Sequence, residues 1–341
     1  MSTKTLILGL ETSCDDTAAA VVQNGRTVLS SVVSSQDNLH HRFGGVVPEI
    51  ASRRHLEVIT VVIEEALDEA GVGFDDLDGL AVAYGPGLVG SLLVGVSLAK
   101  ALAFTLDLPI IGVNHLEGHL YANFLTGAAV SFPVLSLVVS GGHTSLIYME
   151  GHGQIEVLGK TRDDAAGEVF DKIARALGLG FPGGPIMEKL ARRGDAAAFT
   201  FPRALMLEEK NLDFSFSGVK TAVLNCIQRE KEKGRRIAPP DIAAAFQEAV
   251  VDVLTAKSLR AVKEKKVRQF LLAGGVAANG ELRRRLRQDL LAEGVELIYP
   301  PVEYCTDNGA MIGAAGYYYL LQGRLAGWDL NAVPNLALDL S

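Results

Sequence analysis

His115 and His119 are four residues apart in the stretch GVNHLEGHLYA. On a helix that spacing puts both imidazoles on one face, about 6 Å apart, where they can share one cation. It serves two hydrogen-bonded core histidines equally well. It does not suit a zinc peptidase of the HExxH type. There the general-base glutamate directly follows the first histidine, whereas here Leu116 holds that position and Glu117 is one residue further, about 100° around the helix. Asp307 offers a third ligand on the polar turn CTDNG, which leads into a run of small residues. Its other reading is as the cap of the helix that this run predicts. Two histidines and one carboxylate leave coordination positions open, which suits a catalytic Fe(II) or Zn(II) ion better than a closed structural site.

Other turns carry residues able to do chemistry. ETSCDDT gathers Glu11, Asp15 and Asp16 beside hydroxyl side chains. Such a tip can hold a metal or orient a phosphate-bearing ligand, or it can be an exposed acidic turn. SGGHT, residues 140–144, presents successive backbone N–H groups to an anion, or closes a tight hairpin. AGGVAANGELR, residues 273–283, reads as strand, glycines and helix start, with Asn279 as a hydrogen-bonding side chain near any nucleotide that approaches the backbone. It lacks the dinucleotide fingerprint. GPGLVGSLLVG, residues 85–95, reads first as helix entry and helix packing. Basic clusters at 228–236, 260–268 and 283–287 read first as solvated helix faces and second as RNA contacts.

The elements that must position these groups follow from hydrophobic patterning. TLILGL and TAAAVVQ flank the acidic turn as strands, the second closing at the hairpin signal Asn24-Gly25. Residues 134–158 repeat the plan with VLSLVVS, GGHT and SLIYME, followed by a further Gly-rich turn and strand. Two such hairpins more than 100 residues apart predict an internally duplicated α/β protein whose two lobes face each other across a cleft. Helical spacing predicts a helix ending at Gly71 and another from about Val89 to Leu106. It also predicts one over GEVFDKIARALGL, one after FPGGP, and a long amphipathic helix capped near Asp241. A strand, VELIYPP, and a small-residue helix come last.

Composition narrows the function classes. A hydrophobic fraction of 48% over 341 residues argues for a compact fold rather than disorder. A formal charge of −8 supplies no overall field for polyanions, so RNA binding needs a local basic patch or a partner's cations. Cys14, Cys226 and Cys305 are odd in number and widely spaced, which suits a reducing cytoplasm. Glu11 interrupts the first apolar run too early for an export signal. Lys100 and Pro133 interrupt the two later apolar stretches, so no membrane segment is expected.

Ten motifs together carry a resemblance: ETSCDDT, SQDNLHHRFGGVVPEIASRRH, GPGLVGSLLVG, NHLEGH, VVSGGHT, DDAAGEVFDKIARALGL, FPGGP, FSFSGVKT, LAGGVAANGELR and CTDNGAMIG. In this order, and over nearly the whole chain, the sequence resembles the bacterial tRNA threonylcarbamoyltransferase family, once described as O-sialoglycoprotein endopeptidases. The resemblance implies a two-lobed actin-like ATPase fold of the sugar-kinase and heat-shock type. The lobes are expected at 1–130 with a C-terminal helix at about 310–330, and at 131–309. It also implies transfer of a threonylcarbamoyl group from threonylcarbamoyl-AMP to N6 of the adenosine beside the anticodon, in tRNAs reading codons that start with A, with release of AMP. By motif, His115, His119 and Asp307 match the ligands of one Fe2+, with Zn2+ or another divalent ion as alternatives. Val138, Val139, Ser140, Gly141, Gly142, Asp171, Gly184 and Asn279 match the intermediate's binding site. Asp15 and Asp16 match the acidic tip near the reacting end, where the usual pattern is Asp-Glu. The implied partners are tRNA, a paralogous actin-fold subunit and a small ATPase. The competing classes are a phosphotransferase or ATPase on the same fold, a metallopeptidase, and a non-catalytic scaffold.

Overall fold

The computed structural model describes residues 4–234 and 238–338. Arg235 and Arg236 of the first basic cluster lie outside the described residues. The chain divides into two compact units, Met1–Val130 with Pro300–Ser341, and Ser131–Tyr299. Residues 300–309, expected with the second lobe, thus group with the first. The turn holding Asp307 goes with the helix it leads into.

The first unit runs β1 (Leu6–Glu11), β2 (Asp16–Gln23), β3 (Thr27–Ser35), α1 (Asp37–His41), α2 (Pro48–Ala70), β4 (Gly79–Gly85), α3 (Val89–Leu106), β5 (Ile110–Asn114) and α4 (His115–Tyr121). The second contains β6 (Val134–Val139), β7 (Thr144–Gly151), β8 (Gln154–Lys160), α5 (Ala166–Ala176), α6 (Gly183–Ala191), α7 (Ser217–Glu232), α8 (Pro239–Lys265), β9 (Gln269–Ala273), α9 (Gly280–Ala292) and β10 (Glu296–Ile298). Helix α10 (Gly309–Leu321) then returns the chain to the first unit. The strand orders are β3-β2-β1-β4-β5 and β8-β7-β6-β9-β10. In each sheet the first three strands in sequence are antiparallel and the last two join in parallel. The duplication read from the two hairpins is therefore present strand for strand.

Local chemistry explains the boundaries. Asn24 and Gly25 both take positive φ, 53° and 64°, as the central residues of the turn that the Arg26 N–H closes on the Gln23 carbonyl at 3.2 Å. Helix α2 ends on Gly71 at φ 66°, a left-handed cap that glycine adopts without strain. The long helix α8 begins at Pro239 behind Ala238, ahead of the expected cap at Asp241. Two prolines preset the first turn, and Asp241 Oδ1 instead accepts the Asp195 N–H at 2.9 Å. Helix α3 is long and apolar enough to cross a membrane. Its Leu92, Val96, Ala99 and Ala103 are buried and Lys100 Nζ donates to the Leu330 carbonyl at 3.1 Å, while Val89, Leu93 and Phe104 are exposed.

The core that fixes the site alternates along the strands. Leu8 and Leu10 of β1 and Ala19 and Val21 of β2 pack with α2 and α3, while Ala20 and Val22 pack with Ala310 of α10. At Gly9 there is no room for a side chain: a Cβ there would lie 2.2 Å from the Gly309 carbonyl oxygen and 2.4 Å from the Gly313 nitrogen. Glycine on both sides lets α10 sit directly on the sheet backbone.

Candidate metal centre

Strand β5 delivers Asn114, whose side chain caps α4 by accepting the Leu116 N–H at 2.9 Å. The helix therefore starts at His115, and one turn later brings His119 beside it, the ring centroids 4.7 Å apart. Asn308, not Asp307, caps α10, accepting the Met311 N–H at 2.8 Å. The two readings of Asp307 are thereby separated. Asp307 Oδ1 lies 3.6 Å from His115 Nε2 and 3.3 Å from His119 Nε2. One ligand atom from each of the three residues falls within 4.8 Å of the others.

Two observations fit a cation here. His119 is fully buried, yet neither ring nitrogen has a hydrogen-bond partner; a buried polar atom left so costs about 1–3 kcal/mol unless something binds it. His115 is held from behind. Its Nδ1 lies 2.8 Å from Glu11 Oε2 and 3.1 Å from Ser13 Oγ, which leaves Nε2 for the centre. Burial opposes charge on this ring, but the carboxylates of Glu11 and Asp307 outweigh it and push the metal-free His115 pKa up to about 9. The pocket is electrostatically arranged for positive charge.

The acidic tip lies within electrostatic reach of Asp307. Burial, then Asp307, pushes the Asp16 pKa up to about 7, and Asp16 Oδ1 is buried without a hydrogen-bond partner. Asp15 is also raised, by burial first, with its bond from Cys14 opposing and Asp307 adding. Burial and the neighbouring carboxylates raise the Cys14 thiol far above its ordinary value, so it is no nucleophile.

His55 braces this tip. Its Nδ1 is 2.7 Å from Thr17 Oγ1 and its Nε2 is 3.0 Å from the Cys14 carbonyl. Burial lowers its pKa, and a neutral ring facing a carbonyl at Nε2 must carry its proton there, so Nδ1 accepts from Thr17. Sequence reasoning assigned no role to His55 and saw Glu11 only as part of the turn. The partner that gives Glu11 its role, His115, is 104 residues away.

The remaining site candidates all lie in the second unit. Val138 and Val139 are buried in β6, leaving only their backbone to meet a ligand, while Gly141 and Gly142 are exposed and open on their Cβ side. A Cβ on Gly167 of α5 would meet the Ser140 carbonyl at 2.5 Å, so this turn sits against the start of α5. Asp171 Oδ1 accepts the Gly183 N–H at 2.7 Å, tying α5 to the helix that carries Gly184. Asn279 caps α9 and donates to Gln247 Oε1 at 2.9 Å. In the basic cluster of α9, Arg284 pairs with Glu281 at 2.6 Å and Arg285 with Asp252 at 2.5 Å.

The chain is similar to known proteins along nearly its whole length. The family model described as tRNA N6-adenosine threonylcarbamoyltransferase matches residues 27–314. A protein of that name from Symbiobacterium thermophilum is 59% identical over 335 residues, covering 98% of this chain and 97% of that protein. Another from Desulfitobacterium hafniense is 57% identical over 332 residues, 97% of each. Among solved structures, component A of the (R)-2-hydroxyglutaryl-CoA dehydratase of Acidaminococcus fermentans superposes with a TM-score of 0.56 at 14% identity, over 94% of this chain and all of that one. That likeness places the paired sheets in the actin-like ATPase fold, and the sequence matches, spanning nearly the full chain, place the protein in the tRNA N6-adenosine threonylcarbamoyltransferase family.

Proposed function

We propose that the protein transfers the threonylcarbamoyl group from threonylcarbamoyl-AMP to N6 of the adenosine beside the anticodon of tRNA. The acceptors are tRNAs that read codons starting with A, and the reaction takes place in the cytoplasm. The observation that carries the reading is the convergence of His115, His119 and Asp307 within 4.8 Å, around a buried His119 with no other partner, in a chain of this family. These residues would hold one Fe2+, or Zn2+ in its place. When bound, the ion would supply Lewis acidity toward phosphate and carbonyl oxygens.

The N6–carbon bond forms as the bond from the carbonyl carbon to the phosphate oxygen breaks, and AMP leaves with that electron pair. An exocyclic amine is a poor nucleophile and must shed a proton as it attacks. Asp16, with a pKa near neutrality, is suited to accept it, and Asp15 adjoins it on the same tip. His55 keeps the tip in place through Thr17 and Cys14. In the second unit, the backbone of Val138, Val139, Ser140, Gly141 and Gly142, with Asp171, Gly184 and Asn279, binds the adenylate. A paralogous actin-fold subunit and a small ATPase complete the assembly and contribute to tRNA binding, offsetting the negative charge of this chain.

The test is mass-spectrometric detection of threonylcarbamoyl-adenosine after mixing purified protein, threonylcarbamoyl-AMP, partner subunits and unmodified tRNA. Product that depends on this protein and is lost with His115→Ala supports a catalyst. Full transfer by His115→Ala would leave a scaffold. Asp15→Asn and Asp16→Asn both transferring at full rate would remove the proton-acceptor assignment.

A further inference from the structure

Glu117 lies between the two histidines but takes no part in their cluster. At about 100° per residue it projects from the side of α4 opposite the imidazoles. It is 2% exposed, and its Oε2 accepts a hydrogen bond from the Tyr319 hydroxyl on α10, 202 residues away. Tyr319 is itself 2% exposed, and the Arg324 guanidinium covers its ring at 3.8 Å. A buried carboxylate hydrogen-bonded to a buried tyrosine is an expensive device unless geometry depends on it.

What depends on it is the roll of α4. This helix has only 7 residues, too few to hold itself rigidly, and it presses on α10 at Gly118, where a Cβ would come 2.8 Å from Ile312. Apolar contact of that kind sets distance but resists rotation weakly. A roll of about 10° moves an atom at the helix surface by about 1 Å. Metal–ligand distances tolerate about 0.2 Å. Helix α10, by contrast, is fixed, seated by glycines on β1 and β2, with Asp307 just before its cap.

We propose that the Glu117–Tyr319 hydrogen bond is a positioning clasp. It fixes the rotation of α4 against α10, and so sets His115 and His119 against Asp307. The proposal rests on the reading of those three residues as a metal site. The test is titration of the purified full chain with Co2+ alone, followed by its visible absorption, beside far-UV circular dichroism at the same temperature. Tyr319→Phe removes a single oxygen and is expected to weaken Co2+ binding about 10–100-fold with an altered spectrum and an unchanged fold. Glu117→Ala is expected to do the same, while Glu117→Gln, which keeps an acceptor, retains most of the affinity. A merely structural bond would lower the melting temperature and leave the Co2+ affinity and spectrum alone. Wild-type affinity in Tyr319→Phe, or a loss in Glu117→Gln as large as in Glu117→Ala, overturns the clasp. Absence of Co2+ uptake by the wild type, or undiminished uptake by His115→Ala, overturns the metal-site reading and the clasp with it.

Discussion

Glu11 Oε2 stands 2.8 Å from His115 Nδ1, with both residues buried. The carboxylate accepts the Nδ1 proton, so the nitrogen that the ring can give up to a cation is Nε2, on the side of Asp307. Glu11→Ala is expected to weaken Fe2+ or Zn2+ binding about 10–100-fold while the ligands stay in place. Isothermal titration of the metal-free protein checks this, and an unchanged affinity would refute the orienting role.

His119 makes the opposite kind of prediction. Neither nitrogen makes a hydrogen bond, Nε2 only standing 3.3 Å from Asp307 Oδ1, so His119→Leu is expected to stabilise the metal-free form by about 1–3 kcal/mol while abolishing metal binding and transfer. Urea denaturation in the presence of a chelator measures the first effect. A destabilised metal-free variant would show that the imidazole serves the fold.

Gly9→Ala is expected to cost at least about 1–3 kcal/mol, since the atoms in its way are the backbone of Gly309 and Gly313, which no rotamer change can move. Gly218→Ala is the control. It lies in α7 with nothing near its Cβ position, and alanine there is expected to be neutral or to stabilise by up to about 1 kcal/mol. Equal melting temperatures for the two variants would refute the close seating of α10.

Lys257 supplies a pH signature from the second unit. Its ammonium, buried in α8, donates to the Asn211 carbonyl at 2.7 Å, and burial, with Arg260 adding, lowers its pKa from 10.5 to about 8. Between those values the unfolded chain keeps a proton that the folded protein has released. This group therefore makes stability rise with pH across that window. Unfolding free energies at about pH 8 and about pH 10 are expected to show this rise in the wild type and a smaller one in Lys257→Met. Identical slopes would mean the ammonium keeps its proton in the fold.

The parts of the site that were legible in the sequence are those written in short spacings. The i,i+4 histidines, the Asn24-Gly25 hairpin and the Gly71 helix stop each rest on neighbours along the chain, and the structure places each where local chemistry put it. Glu117 was seen but had no reading, because its partner Tyr319 is remote in sequence and nothing periodic connects them. His55 was missed for the same reason. The bonds that define it go to a hydroxyl and a backbone carbonyl on another strand and turn, and a backbone carbonyl has no sequence signature. Of helix α7 only the charged second half was legible, as a solvated helix face, because the apolar stripe of Val219, Val223 and Ile227 is weak.

The separation of His115 and Asp307 along the chain also sets a time at which their cluster can exist. Chains emerge from the ribosome N-terminal end first. The two histidines are therefore made well before Asp307, with the whole second unit synthesised in between. The first sheet also waits for α10, because Gly9 is shaped to receive Gly309 and Gly313. A chain that stops anywhere in the second unit holds two imidazoles without their carboxylate and a sheet with one face bare. The three-residue cluster is thus absent from any chain cut short within the second unit.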